Sequence, residues 1–309
     1  MSARRVTMAV VFLASAAWVA CAYGDASRGG AFRHPGYGAR AWGMGGAAVA
    51  SLDDEGALYW NPAMLSLAAH NVAGASYINL VPGATARQSQ IAYARVLAWG
   101  DDGDDGRRLG RHAVGAMYTN VHLGISGDYR YDENLLRVAY AYCPEQFISF
   151  AIAAELFASS SDVGGFGASG STVDGALRLS LSRNLTLGLV VRDAFSRYSY
   201  ADGRDFEKER AWALGLAYAG VPFAVVEGDL VWEHGGLARA AIGAESDDLL
   251  GVLALRAGLA SLSSGESRTV PYFGLGVRVR GQFALHYNAN LDDETAFEDT
   301  HRFTLSAAF

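Results

Sequence analysis

The sequence has little proline, almost no cysteine and few charged residues. Proline occurs 6 times and cysteine twice in 309 residues, and charged residues make up 18% of the chain beside 51% hydrophobic residues. These values exclude a proline-rich chain and an intrinsically disordered one. If Cys21 leaves with an N-terminal signal, Cys143 is the single remaining thiol, which excludes an internal disulfide framework.

The sequence also lacks the motifs of common enzymes and metal sites. It contains no HExxH, GxSxG, CxxC or phosphate-binding loop motif, and its 7 histidines are scattered along the chain. An enzyme would need a nucleophile, a base and an orienting group in one place. We therefore expect no enzyme, no cofactor and no metal site. The net charge of −7 argues against nucleic acid as a partner.

The N-terminus predicts export from the cytoplasm. Arg4 and Arg5 precede an apolar stretch from Val6 to Val19, and Ala20-Cys21-Ala22 matches the small-x-small pattern of a cleavage site. Residues 1–22 are therefore predicted to be a signal peptide. Two alternatives are a membrane anchor, for which the stretch is shorter than the ~20 residues of a spanning helix, and a lipoprotein acylated on Cys21.

No later apolar run is long enough for a helical span. The best candidate, Leu249 to Leu262, is interrupted by Gly251, Arg256 and Gly258. This excludes a helical membrane protein. The apolar residues of the mature chain instead alternate with small or polar ones.

The alternation has the period of a β-strand and is clearest near the C-terminus. Phe273, Leu275, Val277 and Val279 fall on one face of a predicted strand, opposite Gly274, Gly276, Arg278 and Arg280. In the next segment Leu285 and Tyr287 lie opposite His286 and Asn288. Fourteen segments show this pattern, at roughly 71–80, 87–99, 111–121, 134–142, 147–157, 172–182, 184–193, 209–219, 223–233, 238–245, 250–261, 269–279, 282–291 and 300–309.

The count and the connections favour a transmembrane barrel over a soluble β-sandwich. An even number of antiparallel strands is typical of a closed single-chain outer-membrane barrel. Most even-numbered connections are tight, whereas several odd-numbered ones are long: 122–133, 158–171 and 194–208. Short periplasmic turns that alternate with long extracellular loops are the outer-membrane pattern. Residues 100–110, which are acidic, break this rule and are interpreted as a solvated loop, or as a cation or partner contact.

Charged residues on the polar faces are predicted to line the lumen, because facing lipid at mid-membrane would cost each about 2–4 kcal/mol. They form either a cross-strand ion-pair lattice or a substrate path. The predicted lumen-lining residues are Arg137, Glu155, Arg178, Arg192, Asp229, Arg256 and Arg278, together with Asp174.

Aromatic residues near strand ends suggest an interfacial girdle, and the C-terminus suggests an assembly signal. The girdle candidates are Trp99, Tyr142, Trp212, Tyr218, Trp232 and Tyr272. The last strand places Phe303, Leu305 and Phe309 on one face and ends in an aromatic residue. Such an ending is what the outer-membrane barrel assembly machinery recognises, so that machinery and outer-membrane lipid are expected partners.

Residues 23–70 lack the alternation and precede the predicted barrel, residues 71–309. They are rich in glycine and alanine, and a short predicted helix over 56–65 is interrupted at Pro62. Small residues allow close backbone packing, so this segment is predicted to be a hatch, a plug wedged inside the barrel. The alternative is a periplasmic tail.

At both ends the sequence resembles the FadL-like outer-membrane proteins, especially their PorV-like relatives. The N-terminal resemblance rests on GARAWGMGGAAVASLDDEGALYWNPAML, with Gly43, Gly45, Gly46, the acidic pair at 53–54 and the triplet Asn61-Pro62-Ala63. The C-terminal one rests on Tyr272 to Gly276, His286-Tyr287 and THRFTLSAAF. The resemblance implies a 14-stranded barrel in the cell outer membrane with an N-terminal hatch, which in fatty-acid transporters shifts to pass hydrophobic ligands.

Two functions follow from the resemblance. One is passive passage of hydrophobic or small solutes, with the six hatch residues named above on the ligand path; the other is a PorV-like scaffold or shuttle for exported proteins. Asn61 is the strongest candidate for a functional residue of the hatch, because its amide can hold the turn before Pro62. Gly45 and Gly46 are expected to let the chain approach the barrel wall. The expected partner is accordingly a hydrophobic small molecule or an exported protein.

Overall fold

The computed structural model describes residues 36–81, 86–98, 110–125, 129–162, 167–233, 235–247, 249–264, 266–279, 281–291 and 300–309. The predicted signal peptide, Cys21 and Trp99 lie outside the described residues, as does the acidic loop apart from Gly110.

The N-terminal segment contains three short helices. They are α1, Ala39–Gly43; α2, Ala57–Trp60; and a 3₁₀ helix, Pro62–Leu67. Asn61 separates the last two in an extended conformation, as expected at a position before proline. No helix among the described residues is long and apolar enough to cross a membrane.

All fourteen predicted strands are present, together with one additional strand of two residues. Strands β1 to β7 are Asn71–Val81, Ala86–Ala98, Arg111–Ile125, Tyr129–Glu145, Ile148–Ser161, Ala168–Ser182 and Leu185–Tyr200. The short β8 is Asp205–Phe206. Strands β9 to β15 are Ala211–Val221, Ala224–Glu233, Gly236–Ser246, Leu253–Ser264, Glu266–Val279, Phe283–Asn290 and His301–Ala308.

The fourteen long strands close into one antiparallel barrel. Each pairs with its neighbour in sequence, apart from the β7–β9 pair that bypasses β8, and β1 pairs with β15 to complete the ring. Asn71 and Phe309 exchange backbone hydrogen bonds of 2.8 and 2.9 Å at this closure. The fold is therefore the predicted 14-stranded antiparallel barrel with a small N-terminal hatch.

The two faces of each strand follow the predicted alternation. Leu285 and Leu305 are 50% and 52% exposed on the outside of the barrel, whereas His286 and Ser306 are each 8% exposed on the inside. A continuous outer surface of apolar side chains is what a barrel wall needs in lipid. The period-two pattern therefore identified the inner and outer faces correctly.

The predicted long loops are mostly strand. The 122–133 connection shrinks to residues 126–128, because β3 and β4 stay paired as far as Ile125 and Tyr129. Likewise β5 reaches Ser161 and β7 reaches Tyr200. The extensions 129–133 and 194–200 combine polar and aromatic residues, and 158–161 is mostly serine, so apolar alternation predicted strand ends that were too early. We call this end of the barrel the loop end, and the end with Asn71 and Phe309 the turn end.

One predicted girdle residue is misplaced. Tyr272 is 4% exposed and points inward, where its ring stacks on Trp42 with centroids 5.6 Å apart. Tyr142 and Trp212, in contrast, are 38% and 47% exposed on the outside. Residues two apart in a strand lie on the same face, so Tyr272 shares the inward face with Gly274 and Gly276. The alternation itself therefore argues against a girdle position for Tyr272.

Candidate functional site: the hatch inside the barrel

Residues 36–70 fill the turn-end half of the lumen. The 3₁₀ helix packs against β4 and β5, and α1 packs against β13 and β14. Seven of the hatch side chains rank among the largest fully buried ones in the described chain, Glu55 and six hydrophobic ones: Tyr37, Met44, Leu52, Leu58, Trp60 and Leu65. Burying a leucine of this kind contributes about 2 kcal/mol. The hatch thus supplies the hydrophobic core of the barrel.

Inward-facing glycines of the wall make room for the hatch. A Cβ at Gly243 or Gly258 would overlap the backbone of Met44, and one at Gly188 would overlap the carbonyl of Val49. At Gly74 an added Cβ would meet the carboxyl group of Glu55. Part of the high glycine content therefore lies where the wall faces the hatch. At these positions the backbones of hatch and wall approach each other without an intervening side chain.

The hatch turns next to the wall at two glycines that the sequence analysis named. Gly45 and Gly46 have φ angles of 70° and 76°, a left-handed conformation that favours glycine. A Cβ at Gly45 would lie 3.1 Å from the backbone of Leu259. Gly43 lies against Gly274 and the side chain of Arg256. Gly43 and Gly45 therefore lie against β12 and β13, and Gly46 lies against Arg239 of β11.

Asn61 holds the turn before Pro62 and also ties the hatch to the wall. Its Oδ1 accepts from the backbone N–H of Ala63 at 3.0 Å, so it caps the 3₁₀ helix. Its Nδ2 donates to the carbonyls of Val49 at 2.8 Å and Leu177 at 3.3 Å. Asn61, Pro62 and Ala63 are all buried, and Ser149 on β5 donates to the Ala63 carbonyl at 2.8 Å.

Two carboxylates of β10 hold the middle of the hatch by its backbone. Asp229 accepts from the N–H groups of Ala48 at 2.7 Å and Val49 at 3.0 Å, and Glu227 accepts from Ala50. Both side chains are fully buried. Asp229 was a predicted lumen residue, whereas Glu227 was missed, although it shares the inward face of the same strand two positions away.

A third buried carboxyl, Glu55, lies in the hatch itself. It accepts hydrogen bonds from Ser306 on β15 and from the Tyr37 hydroxyl at 3.3 Å. Burial, with a smaller contribution from the negative charge of Asp54, raises the pKa of Glu55 to about 8, although the Ser306 hydrogen bond opposes this shift. Glu55 is therefore predominantly protonated at neutral pH.

The acidic pair at 53–54 and the lumen residue Arg256 belong to one ion-pair network. Arg40 of α1 lies 2.8 Å from carboxylate oxygens of Asp53, Asp54 and Glu245. Glu245 of β11 also pairs with Arg256 of β12. The network joins the hatch to the wall. Arg40, Asp53 and Asp54 come from the N-terminal motif and Arg256 from the predicted lumen residues, whereas Glu245 was not predicted.

The remaining predicted lumen residues divide into groups. Arg137 pairs with Asp174 at 2.6 Å and Glu155 at 3.5 Å, a buried lattice across three strands. Its Nε also donates to the carbonyl of Leu58 in the hatch at 2.8 Å. Arg178 donates to the carbonyl of Gln146 near the turn end, and Arg278 is exposed there rather than buried.

Arg192 belongs to a stack of guanidinium groups and aromatic rings that we call the ladder. Its members, in order, are Arg302, Trp42, Arg239, Trp60, Arg192 and Tyr59. The two tryptophan rings meet edge-on, with centroids 5.7 Å apart. The ladder was not predicted from the sequence, because its rings and its guanidinium groups lie more than a hundred residues apart in the chain and only the fold brings them together.

Two apolar clusters face inward near the loop end. One contains Leu135, Phe157, Ala168 and Tyr198, with Tyr200 and Phe206 packed against it. The other contains Ile78, Ala86 and Val121, with Leu123 packed against it. They add apolar surface to the inside of the barrel beyond the hatch.

The barrel resembles several solved structures. It matches the toluene transporter TodX of P. putida with a TM-score of 0.58 and 17% identity, over 89% of this chain and 99% of that one. The Ralstonia pickettii toluene transporter TbuX matches with a TM-score of 0.60 and 13% identity, over 89% of this chain and 98% of that one. A Pseudomonas aeruginosa FadL homologue matches with a TM-score of 0.60 and 10% identity, over 89% of this chain and 98% of that one. This chain has the FadL-like barrel fold.

The resemblance is one of structure rather than of sequence. No family model and no curated protein matches the sequence. Two of the solved structures named above are toluene transporters. Within the described ranges, no group of three or more His, Cys, Asp or Glu side chains is arranged to hold a metal ion.

Proposed function

We propose that this protein is an outer-membrane channel for small hydrophobic molecules. The observation that carries the proposal is a closed barrel whose turn-end half is occupied by a hatch and whose loop-end half presents apolar side chains to the lumen. A lumen of this design offers a hydrophobic molecule a partly apolar entrance and a removable stopper. The fold shared with toluene transporters supports the same class of ligand.

The apolar belt supports a location in the outer membrane. Large apolar side chains are exposed around the barrel, for example Ile91 at 60%, Leu156 at 59% and Leu305 at 52%. Such a belt is stable in lipid and would cause aggregation in water. Outer-membrane lipid is then the direct partner, and recognition of the final strand by the assembly machinery remains a prediction.

Passage requires the hatch to shift, and the contacts that hold it are suited to reversible release. Much of the anchoring between hatch and wall consists of single hydrogen bonds and ion pairs, such as those from Asp229, Asn61 and Arg40. A net contribution of about 0.5–1.5 kcal/mol for a neutral hydrogen bond, and of about 1.5–3 kcal/mol for one to a charged group, allows these contacts to be released one at a time. A covalent tether between hatch and wall would prevent it.

The test is uptake of labelled toluene by Gram-negative cells, whose lipopolysaccharide leaflet slows hydrophobic solutes. Cells that produce the protein should take up toluene faster than cells with the empty vector. The hydroxyl oxygens of Ser66 on the hatch and Ser149 on the wall lie 2.9 Å apart, so the pair Ser66→Cys and Ser149→Cys, made in a Cys143→Ser background, is placed for a disulfide. Oxidation of this double variant should reduce uptake, and a reductant should restore it.

Each single-cysteine variant is the matched control, because oxidation should leave its uptake unchanged. Uptake by the wild type that equals the empty vector would reject the channel. If the protein then co-purifies stoichiometrically with an exported protein, the scaffold alternative replaces it. If uptake is present but insensitive to the tether, transport stands and movement of this part of the hatch is rejected.

A further inference from the structure

The ladder is a continuous alternation of positive charge and aromatic surface. The guanidinium carbon of Arg302 lies 4.7 Å from the Trp42 ring centroid, and that of Arg239 lies 5.6 Å from Trp42 and 5.2 Å from Trp60. The guanidinium carbon of Arg192 lies 5.9 Å from Trp60 and 4.9 Å from Tyr59. Hatch residues supply the rings, whereas three different wall strands supply the cations.

The three arginines lack anionic partners within the described part of the chain. Arg239 donates to the Gly46 carbonyl at 3.1 Å, and Arg302 donates to the amide oxygens of Asn288 at 3.0 Å and Asn290 at 3.4 Å. These acceptors are neutral. The carboxylate with the strongest influence on Arg239 is that of Asp229, whose Oδ2 accepts from two hatch N–H groups.

Several N–H groups of the ladder are buried without an acceptor among the described residues. They are Nε and Nη2 of Arg192, Nε of Arg302 and Nε1 of Trp42. Arg302 is 6% exposed and Arg239 is 9% exposed. Buried charges of one sign with unused donors are costly unless an anion compensates them. The lumen therefore presents a site with donors and positive charge in excess.

The chemistry of the site selects its ligand. A carboxylate can accept from two guanidinium N–H groups at once, whereas a neutral hydrocarbon leaves these donors unused. Flat rings stack favourably on tryptophan and on guanidinium planes. An anion that carries an aromatic ring uses both properties, and a cation is repelled by all three arginines.

We propose that Arg192, Arg239 and Arg302, with Trp42, bind the carboxylate and ring of a small aromatic acid. The proposal rests on the channel function proposed above and adds a ligand class to it. The arginines donate hydrogen bonds to the carboxylate from the lumen side, and Trp42 and Arg192, which are only partly buried, provide the surface for the ring. Because the rings belong to the hatch and the cations to the wall, the bound acid bridges the two.

Titration of the purified full-length protein in detergent, followed by calorimetry, tests this site. The ligands are benzoate, benzyl alcohol as its neutral analogue, and inorganic phosphate as an anion without a ring. Benzoate should bind at least about tenfold more tightly than either, a difference of about 1.4 kcal/mol. The double variant Arg192→Gln and Arg302→Gln should lose this preference.

The matched control is the double variant Arg130→Gln and Arg197→Gln, whose side chains are 71% and 82% exposed. It should bind benzoate as the wild type does. The variant Arg192→Lys and Arg302→Lys keeps the charge but loses the forked donors, so its benzoate affinity should lie between those of wild type and the glutamine variant. Heat-shifted electrophoretic mobility checks that each barrel is folded.

Equal affinity for benzoate and benzyl alcohol would overturn the proposal, as would equal affinity for benzoate and phosphate. Wild-type benzoate affinity in a folded glutamine variant would overturn it too. Toluene uptake by cells distinguishes this failure from that of the channel: uptake without selective benzoate binding removes the ladder site and leaves the channel intact.

Discussion

At the scale of single residues, the absence of a side chain is as informative as its presence. Gly258 and Gly243 face the hatch, and an added methyl group at either would overlap the backbone of Met44. Asn61, which is fully buried, uses its side chain as donor and acceptor between two parts of the hatch and the wall. Both features fix where the hatch lies relative to the barrel.

The glycine contacts predict an unequal response to the same substitution. Gly258→Ala should loosen the hatch by about 1–3 kcal/mol, because the new methyl group displaces Met44. Gly175→Ala is the control, since a Cβ there meets nothing within 4 Å. Quenching of tryptophan fluorescence by acrylamide should increase for Gly258→Ala only. Equal quenching in the two variants would contradict the close contact.

At the scale of elements, the hatch is a segment whose polar groups are satisfied by the wall. The backbone of residues 48–50 has no regular secondary structure and depends on Glu227 and Asp229 for its hydrogen bonds. Glu55 is anchored to β15 through Ser306. The hatch is therefore expected to be stable only inside the closed barrel.

Glu55 predicts a pH dependence of hatch stability. Its pKa is about 8 in the folded hatch and about 4.3 in an unfolded chain. Between these values the folded hatch holds a proton that the unfolded segment has released, so hatch stability falls as pH rises from about 4.5 to about 8. Glu55→Gln stays neutral and should lose this part of the pH dependence.

Limited proteolysis of the hatch at pH 5 and at pH 9 measures this effect. Wild-type protein should be cleaved faster at pH 9 than at pH 5, after correction for the activity of the protease itself. In Glu55→Gln the difference between the two cleavage rates should be smaller. Glutamine still accepts from Ser306 and Tyr37, so the change isolates the charge. An unchanged difference in the variant would assign the pH effect to other groups.

At the scale of the whole molecule, the barrel separates an apolar outside from a polar and glycine-rich inside. Leu285 and Leu305 represent the first surface, and His286 and Ser306 the second. The ion pairs of Arg137 and of Arg256 lie on the inside, where they avoid lipid. This division determines how the molecule lies in a membrane.

Labelling with a lipid-soluble maleimide tests that orientation. In a Cys143→Ser background, cysteine at 285 or 305 should react and cysteine at 286 or 306 should not, because the first pair faces lipid and the second faces the hatch. Cys143 must be replaced since it is the free thiol among the described residues. Reaction at 286 and 306 in place of 285 and 305 would contradict the register of β14 and β15.

The sequence by itself determined the barrel, because period-two alternation reports which face of each strand meets lipid and each strand carries its own signal. It also located the hatch and the break at Asn61 and Pro62. Strand ends at the loop end were lost where the alternation turned polar, as between Tyr129 and Glu133.

Only the tertiary structure decided what the inward residues do. The sequence marked Asp229 and Arg192 as inward, but not that one holds hatch N–H groups while the other stacks on the rings of Tyr59 and Trp60. Their partners lie more than a hundred positions away in the chain, and an inward position is compatible with an ion pair, a hatch contact or a ligand site. The choice among these depends on which wall strands the hatch crosses, and that is settled by close packing between the hatch and the glycines of the wall.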